Sequence, residues 1–142
     1  MKRRLLILSV IISVFVGACQ STPSGQLTDP AAVMDAYTAA INAHDVEAAL
    51  ALVADDVIYH RPTGDFNGKE AVRGFIEGLI ARNVRVELVG QRTVDGERVS
   101  WRSHVFLADP ENPDGPLLEI MNNSESIVRN GKIVMHTASR AQ

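Results

Sequence analysis

The stretch DDVIYHRPTGDFNGKEAVRGFIEGLI, residues 55–80, holds the clearest secondary-structure signals of the chain. In its second half, apolar residues recur at the spacing of an amphipathic helix, at Val72, Phe75, Ile76, Leu79 and Ile80. The preceding Asn67-Gly68-Lys69-Glu70 has a glutamate three residues after a capping residue, as in a capping box. These signals predict a helix that begins at residues 67–70 and ends near Arg82-Asn83.

The first half of that stretch predicts a short strand over residues 57–61, which Pro62-Thr63-Gly64 ends. His60 and Arg61 are neighbours on this strand, so their side chains face opposite ways and only one can enter an interior. The pattern favours Arg61, which shares a face with Tyr59. Both remain candidate ligand-binding residues.

Arg61 leaves two interpretations open. A buried arginine needs an anionic partner, so Arg61 in an interior would indicate a ligand that bears a carboxylate. Alternatively, its guanidinium bridges an acid at the rim of the fold, where the candidates are Asp55, Asp56 and Asp65.

The residues before this stretch predict two more helices. Asp29-Pro30 is a helix start, because aspartate caps a helix and proline suits the first helical position. One face of this helix is apolar, with Val33, Tyr37, Ala40 and Ile41 at helical spacing. Asp45 can cap a second, shorter helix over residues 46–53.

The residues after it alternate between polar and apolar, as strands do. Strands are predicted over residues 84–88, 99–107, 117–128 and 132–140. Asp95-Gly96 and Asn130-Gly131 are hairpin signals, and residues 109–116 form a polar loop. Three helices followed by a strongly bent antiparallel sheet predict an α+β fold, with the helices on one side of the sheet. Such a sheet encloses a cone whose open end suits a small apolar molecule.

The N-terminus predicts a secretion signal. Residues 1–4 are basic, residues 5–16 are apolar but too few to span a bilayer, and Cys19 follows directly. Val16-Gly17-Ala18-Cys19 resembles the lipobox of bacterial lipoproteins. The resemblance implies that residues 1–18 are cleaved off and that Cys19 is lipidated and anchors the protein to a membrane.

The remaining boundaries follow from composition. Residues 19–27 are predicted to be a tether rich in Ser, Pro and Gly, and residues 28–142 a single domain. Gln20 is not the aspartate of an inner-membrane retention signal. In a cell with two membranes, the expected location is therefore the outer membrane, with the domain facing the periplasm.

Charge and cysteine content exclude several classes of function. The chain of 142 residues carries a net charge of −3, which argues against a nucleic-acid partner. Its single cysteine, once lipidated, leaves no thiol for a disulfide or for a metal. The four histidines lack the spacing of a zinc site, so neither a metal nor another cofactor is expected.

Residues 31–79 resemble the opening of SnoaL-like and ketosteroid-isomerase-like proteins of the nuclear transport factor two-like superfamily. The shared features are an inward Tyr37, an Asn-x-x-Asp break at residues 42–45, the Asp55-Asp56 pair and the turn at residues 62–64. The C-terminal NGKIVMH, residues 130–136, matches the last hairpin of that superfamily. The resemblance implies its cone-shaped fold over residues 28–140 and leaves the function open, because this fold hosts many functions.

The resemblance also implies roles for single residues. Arg61 stands where the isomerases have their proton-shuttling aspartate, and arginine cannot act as a base because its pKa exceeds about 12. His60 matches a histidine of the SnoaL-like cyclases, as does His136 on the last strand. The aspartate base of those cyclases falls on Ala138.

These comparisons give a candidate site. If the protein is catalytic, we expect His136 to act as acid and base, with Tyr37 and either Asn123 or Ser124 as hydrogen-bond donors to an oxyanion. Arg61 would hold an anion. The expected apolar walls are Trp101 and Phe75. In the alternative interpretation, His136, Tyr37 and Trp101 are core residues or, for His136, part of a dimer interface, and residues 122–124 form an exposed edge.

The function that follows is that of a membrane-anchored protein with a pocket for a small, mostly apolar ligand whose end is polar or anionic. Isomerisation, cyclisation and hydrolysis are the expected reaction types. A non-catalytic module of the cell envelope, which binds a ligand or a protein, is the alternative. Domains of this superfamily often pair through their sheets, so a homodimer is a further expectation.

Overall fold

The computed structural model describes residues 27–142, so the predicted signal peptide, Cys19 and nearly all of the predicted tether lie outside the described residues. The elements, in chain order, are α1 (Pro30–Asn42), α2 (Val46–Ala51), β1 (Val53–Arg61), β2 (Gly64–Asn67), α3 (Lys69–Ala81), β3 (Arg85–Asp95), β4 (Arg98–Leu107), β5 (Leu118–Arg129) and β6 (Lys132–Arg140). The predicted α+β fold, with a curved sheet around the helices, is confirmed.

The first two helices begin where the sequence predicts. The Asp29 carboxylate accepts a hydrogen bond from the Ala32 amide at 3.1 Å, and Asp45 caps α2 through the Ala48 amide at 2.9 Å. These bonds satisfy amides that have no partner within the helix. The second helix ends at Ala51, two residues before its predicted end.

The predicted capping box of α3 is wrong. The N-cap residue is Gly68, which has a φ of +83° and no side chain to form a cap. Its amide donates to the Val57 carbonyl at 2.7 Å, so the turn ties the start of α3 to β1. A side chain other than glycine would be strained in this conformation.

The sheet has the strand order β2-β1-β6-β5-β4-β3. β1 runs parallel to β6, and every other neighbouring pair is antiparallel. β1 is longer than predicted, because residues 53–56, which include Asp55 and Asp56, also belong to it. The short β2 was not predicted; it pairs with β1 across a turn at Gly64, whose φ is +130°.

The helices fill the concave side of the sheet. α1 buries Val33, Met34, Tyr37 and Ile41, and α3 buries Val72 and Ile76. These residues meet the inward side chains of the strands, among them Val57, Tyr59 and Ile133, which are fully buried. Residues 27–142 therefore form a folded unit with its own hydrophobic core. None of the helices within these residues has the length and hydrophobicity needed to cross a membrane.

Candidate functional site

Two adjoining spaces lie between the helices and the concave face of the sheet. The inner cavity, about 60 Å³, is bordered by Tyr37, Trp101, Ser124 and His136, among others. The mouth, about 310 Å³, is bordered by residues that include Pro62, Phe75, Leu107 and Ala138. Both spaces share Arg61, Leu79, Val86, Val105 and Asn122, which makes them two parts of one cone.

Arg61 stands at the junction of the inner cavity and the mouth. Its guanidinium lies over the Phe75 ring, with Cζ 4.6 Å from the ring centroid, and its Nε is buried without a hydrogen-bond partner. Burial lowers the pKa of this guanidinium. Within residues 27–142, none of the ion pairs includes Arg61, and two of the three candidate rim acids have other partners: Asp65 pairs with His60, and Asp55 with Lys69. The rim-bridge interpretation of Arg61 is therefore wrong.

His136 is 5% exposed, and its Nδ1 lies 2.8 Å from the Oγ of Ser126. Its ring contacts those of Tyr59 and Trp101, with centroid distances of 4.9 and 5.6 Å. Burial lowers the pKa of His136 well below its ordinary 6.5, and the positive charges of Arg61 and Arg92 lower it further. His136 is consequently a neutral imidazole at physiological pH.

Two tyrosines face each other near Arg61. Tyr37, on α1, borders the inner cavity as predicted, and Tyr59, on β1, is fully buried behind it. The Tyr59 hydroxyl interacts with that of Tyr37, but within residues 27–142 it forms no hydrogen bond of normal geometry. Burial raises the pKa of both phenols, so both stay protonated at physiological pH.

The register of β5 separates the two predicted oxyanion donors. Ser124 pairs with Trp101 and Ala138 and points into the inner cavity. Asn123 is exposed on the outer face of the sheet, where it borders a polar groove, so it cannot act in the cone. Adjacent strand residues face opposite ways, so only one of the two could have been inward.

Of the remaining predicted residues, two border the cone and one does not. Phe75 borders the mouth and Trp101 the inner cavity, as expected for apolar walls. His60 borders neither space: its Nδ1 lies 2.9 Å from the Asp65 carboxylate at the rim. A direct contact between His60 and a ligand in the cone is therefore not supported by its position.

The cone is positively charged. Three arginines border the mouth, Arg61, Arg82 and Arg140, and neither space has an aspartate or glutamate among the residues that border it. Arg82 is held by the Ala108 carbonyl at 3.0 Å. Elsewhere in residues 27–142, no group of three or more histidine, cysteine, aspartate or glutamate side chains is arranged to hold a metal ion. The arrangement suits an organic anion.

Sequence reasoning missed three residues of the site. Ser126 holds His136, Tyr59 contributes a buried hydroxyl, and Arg92 lies over the Trp101 ring. Ser126 and Tyr59 could have been found from strand alternation, because they share the faces of Ser124 and Arg61. Arg92 carried no such signal, since its strand is mostly exposed and a bulge breaks the alternation before it.

The sequence profile of the SnoaL-like domain matches residues 34–136. The chain belongs to the SnoaL-like domain family. This match covers α1 through most of β6, and thus every residue of the inner cavity. Among curated proteins, none matches the chain.

Solved structures share the fold of this SnoaL-like domain. A putative polyketide cyclase from Pseudomonas putida KT2440 is 28% identical, with a TM-score of 0.64 over 78% of this chain and 90% of that one. The epoxide hydrolase/cyclase-like enzyme SalBIII is 16% identical, with a TM-score of 0.73 over 80% and 91%. A putative ketosteroid isomerase from Kribbella flavida DSM 17836 is 17% identical, with a TM-score of 0.67 over 80% and 78%.

Proposed function

We propose that this SnoaL-like domain takes up, in its cone, a small and mostly apolar molecule with an anionic end. The observation that carries the proposal is the Arg61 guanidinium, which borders both spaces and has a buried Nε without a partner. A buried cation without a partner is unfavourable, and a ligand anion would supply the missing interaction. Arg82 and Arg140 add positive charge at the mouth.

The apolar part of the ligand belongs in the mouth. Phe75, Leu79, Val105 and Leu107 are among its walls, and its volume of about 310 Å³ is at the lower end of small-molecule pockets. The anion then sits at Arg61, and only a small group of the ligand reaches His136.

Acid–base chemistry of the isomerase, cyclase or hydrolase type fits the inner cavity. Burial is the main cause of the low pKa of His136, and the positive charges of Arg61 and Arg92 lower it further; an anion bound to Arg61 would offset one of these charges and raise this pKa, as a base requires. Tyr37 and Ser124 are in place to donate hydrogen bonds to a developing oxyanion. Similar structures named as a putative polyketide cyclase and a putative ketosteroid isomerase support this class of chemistry.

A non-catalytic binding module is the second candidate, and one observation favours it. Ala138, at the position of the cyclase aspartate, borders the mouth, and no carboxylate borders either space. Such a module would hold the same anionic ligand without changing it, or would present the domain to a protein of the cell envelope.

The N-terminal segment adds a membrane anchor to either candidate. Lipidation of Cys19 would tether the domain to the envelope, at the outer membrane of a cell that has two. Changing Cys19→Ala is expected to stop the incorporation of labelled palmitate and to release the protein into the soluble fraction. Unchanged membrane fractionation would remove the anchor from the proposal. Pairing of two copies through the outer faces of their sheets remains a prediction, which sedimentation can measure.

The test of the main proposal compares two probes of matched shape, octanoate and its neutral amide, on residues 25–142. Octanoate is expected to bind about 10- to 100-fold more tightly, since a hydrogen bond to a charged group contributes about 1.5–3 kcal/mol. Arg61→Met should remove this difference, and Arg102→Met, at an exposed arginine on the outer face, should leave it intact. Equal affinities for both probes would overturn the proposal.

An NMR titration of His136 separates the two candidates. In an enzyme of the proposed kind, bound octanoate raises the pKa of His136. If octanoate binds and this pKa does not move, the anion lies too far from His136 for acid–base chemistry, and the binding module is the better description.

A further inference from the structure

β3 carries a bulge directly opposite Trp101. The pairs Val89↔Arg102 and Thr93↔Ser100 leave three residues, 90–92, facing that single tryptophan. Gly90 has a φ of +76°, which allows the backbone to make the detour. The bulge delivers Arg92 to the inner side of the sheet, on a strand that is otherwise mostly exposed.

Arg92 ties this bulge to helix α1. Its side chain is 6% exposed, and its Nε donates to the Asp35 carboxylate at 2.7 Å. Its Nη2 donates to the Thr38 hydroxyl at 3.0 Å and to the Met34 carbonyl at 3.3 Å. The planar guanidinium is thus fixed from three directions.

The guanidinium in turn lies over Trp101, with its Cζ 4.7 Å from the ring centroid. Trp101 stacks with His136 at an interplanar angle of 29° and borders the inner cavity. A chain of contacts therefore runs from Asp35 through Arg92 and Trp101 to the imidazole.

We propose that Arg92 is a positioning residue that holds Trp101 against His136 and thereby sets the size of the group that the inner cavity accepts. This inference rests on the proposed function, because it concerns the part of the ligand that reaches His136. The inner cavity of about 60 Å³ has room only for a small substituent of the ligand.

Packing alone would not require an arginine here. A methionine could fill the space over Trp101 without the desolvation of a charge, and Arg92 even keeps a buried Nη1 without a partner. A methionine, however, would not be held in one orientation. Only the planar guanidinium can bind several acceptors at once while it stacks on a ring. We call this arrangement, in which Asp35, Thr38 and Met34 hold the Arg92 guanidinium over the Trp101 indole, the clamp.

Trp101 is the only tryptophan of the chain, so its fluorescence reports on the clamp directly. Arg92→Lys keeps the charge and loses the planar guanidinium, and Asp35→Asn keeps the shape of the side chain but removes the negative charge that pairs with Arg92. Both changes, made in residues 25–142, are expected to shift Trp101 emission to longer wavelength and to increase its quenching by acrylamide. Arg102→Lys, next to Trp101 on the outer face, is the matched control and should change neither. If the emission of Arg92→Lys equals that of the wild type, Arg92 does not hold Trp101 in place. This test needs no ligand.

A series of 2-substituted octanoates tests the size limit. With the carboxylate at Arg61 and the chain in the mouth, the 2-substituent points to the inner cavity. In the wild type, each methylene that fits should tighten binding by about fourfold, and a larger substituent should lose affinity. Arg92→Ala is expected to move this loss to larger substituents, and Arg102→Ala should not.

The outcomes separate the two proposals. A uniform loss of affinity in Arg92→Ala, with the same size limit, would mean that Arg92 only stabilises the fold. If no octanoate binds to the wild type, the proposed class of ligand is wrong. The fluorescence of the unliganded variants then still shows whether Arg92 holds Trp101 in place. Should Arg92→Ala not fold, Arg92→Lys and Asp35→Asn carry the same comparison.

Discussion

The Nδ1 of His136 lies 2.8 Å from the Oγ of Ser126, at paired positions of β6 and β5. Ser126 is fully buried, and the hydrogen bond fixes the orientation of the imidazole. A protonated ring would need a second partner in a site that already contains positive charge from Arg61 and Arg92. The surroundings of His136, including its hydrogen bond to Ser126, therefore favour the neutral form of the imidazole.

This preference predicts a loss of stability in mild acid. Burial, with Arg61 of β1 and Arg92 of β3, lowers the pKa of His136, and the nearby phenols of Tyr37 and Tyr59 stay neutral. Below pH 6.5, His136 binds a proton in the unfolded chain, whereas in the folded chain it stays neutral because its pKa is lower. The free energy of unfolding should therefore fall with decreasing pH, by up to about 1.4 kcal/mol per pH unit, until the lowered pKa is reached.

Urea unfolding between pH 8 and pH 5 measures this slope. His136→Gln should flatten it, because the variant has no group to titrate at that position. Asn123→Ala is the control, since Asn123 is exposed on the outer face and the change neither adds nor removes a titrating group. An equal slope in His136→Gln and the wild type would assign the acid sensitivity to another group.

Ser126→Ala is predicted to destabilise the domain by about 1–3 kcal/mol, because it leaves the buried Nδ1 of His136 without a partner. Ser139→Ala, on the exposed part of β6, should stay within about 0.5 kcal/mol of the wild type. Chemical denaturation at pH 7.5 gives both values. Equal effects at the two serines would mean that water replaces the lost hydroxyl.

The fold was predictable from the sequence because its main elements obey simple periodicities. The helical spacing of Val72 and Ile76 places α3, and aspartate caps place the starts of α1 and α2. The direction of Arg61 into the cone also followed, because alternation links it to the buried Tyr59. Local pattern is informative wherever one face of an element is buried.

The rest depended on tertiary structure. Nothing in the local sequence sets the register of β5, which decides between Asn123 and Ser124. The short β2 forms only because β1 lies beside it, and its own residues are mostly exposed. Arg92 enters the site through a bulge of three residues, and its partner Asp35 is 57 positions away in the sequence.

Tyr59→Phe is predicted to leave the domain as stable as the wild type, or to stabilise it by about 1 kcal/mol. The hydroxyl is buried and interacts with that of Tyr37 without a hydrogen bond of normal geometry, so its removal ends a desolvation cost and loses little in return. Tyr59→Leu is the contrast, since it removes the ring contacts with His136 and Phe75 and should be destabilising. Thermal unfolding of the two variants checks the order. A clear destabilisation by Tyr59→Phe would show that the hydroxyl has a partner in solution.

Arg61→Met should separate stability from binding. The variant keeps an unbranched side chain against Phe75 and loses the cation–π contact, but it no longer buries a guanidinium Nε that lacks a hydrogen-bond partner. The second effect is the larger one, so the free energy of unfolding is expected to rise by about 1 kcal/mol while octanoate affinity falls. Arg61→Lys, which keeps a charge at the same place, should show no such gain in stability. If Arg61→Met instead loses both stability and binding, Arg61 has a structural partner in solution, and a ligand anion is not needed to explain why an arginine stands inside the cone.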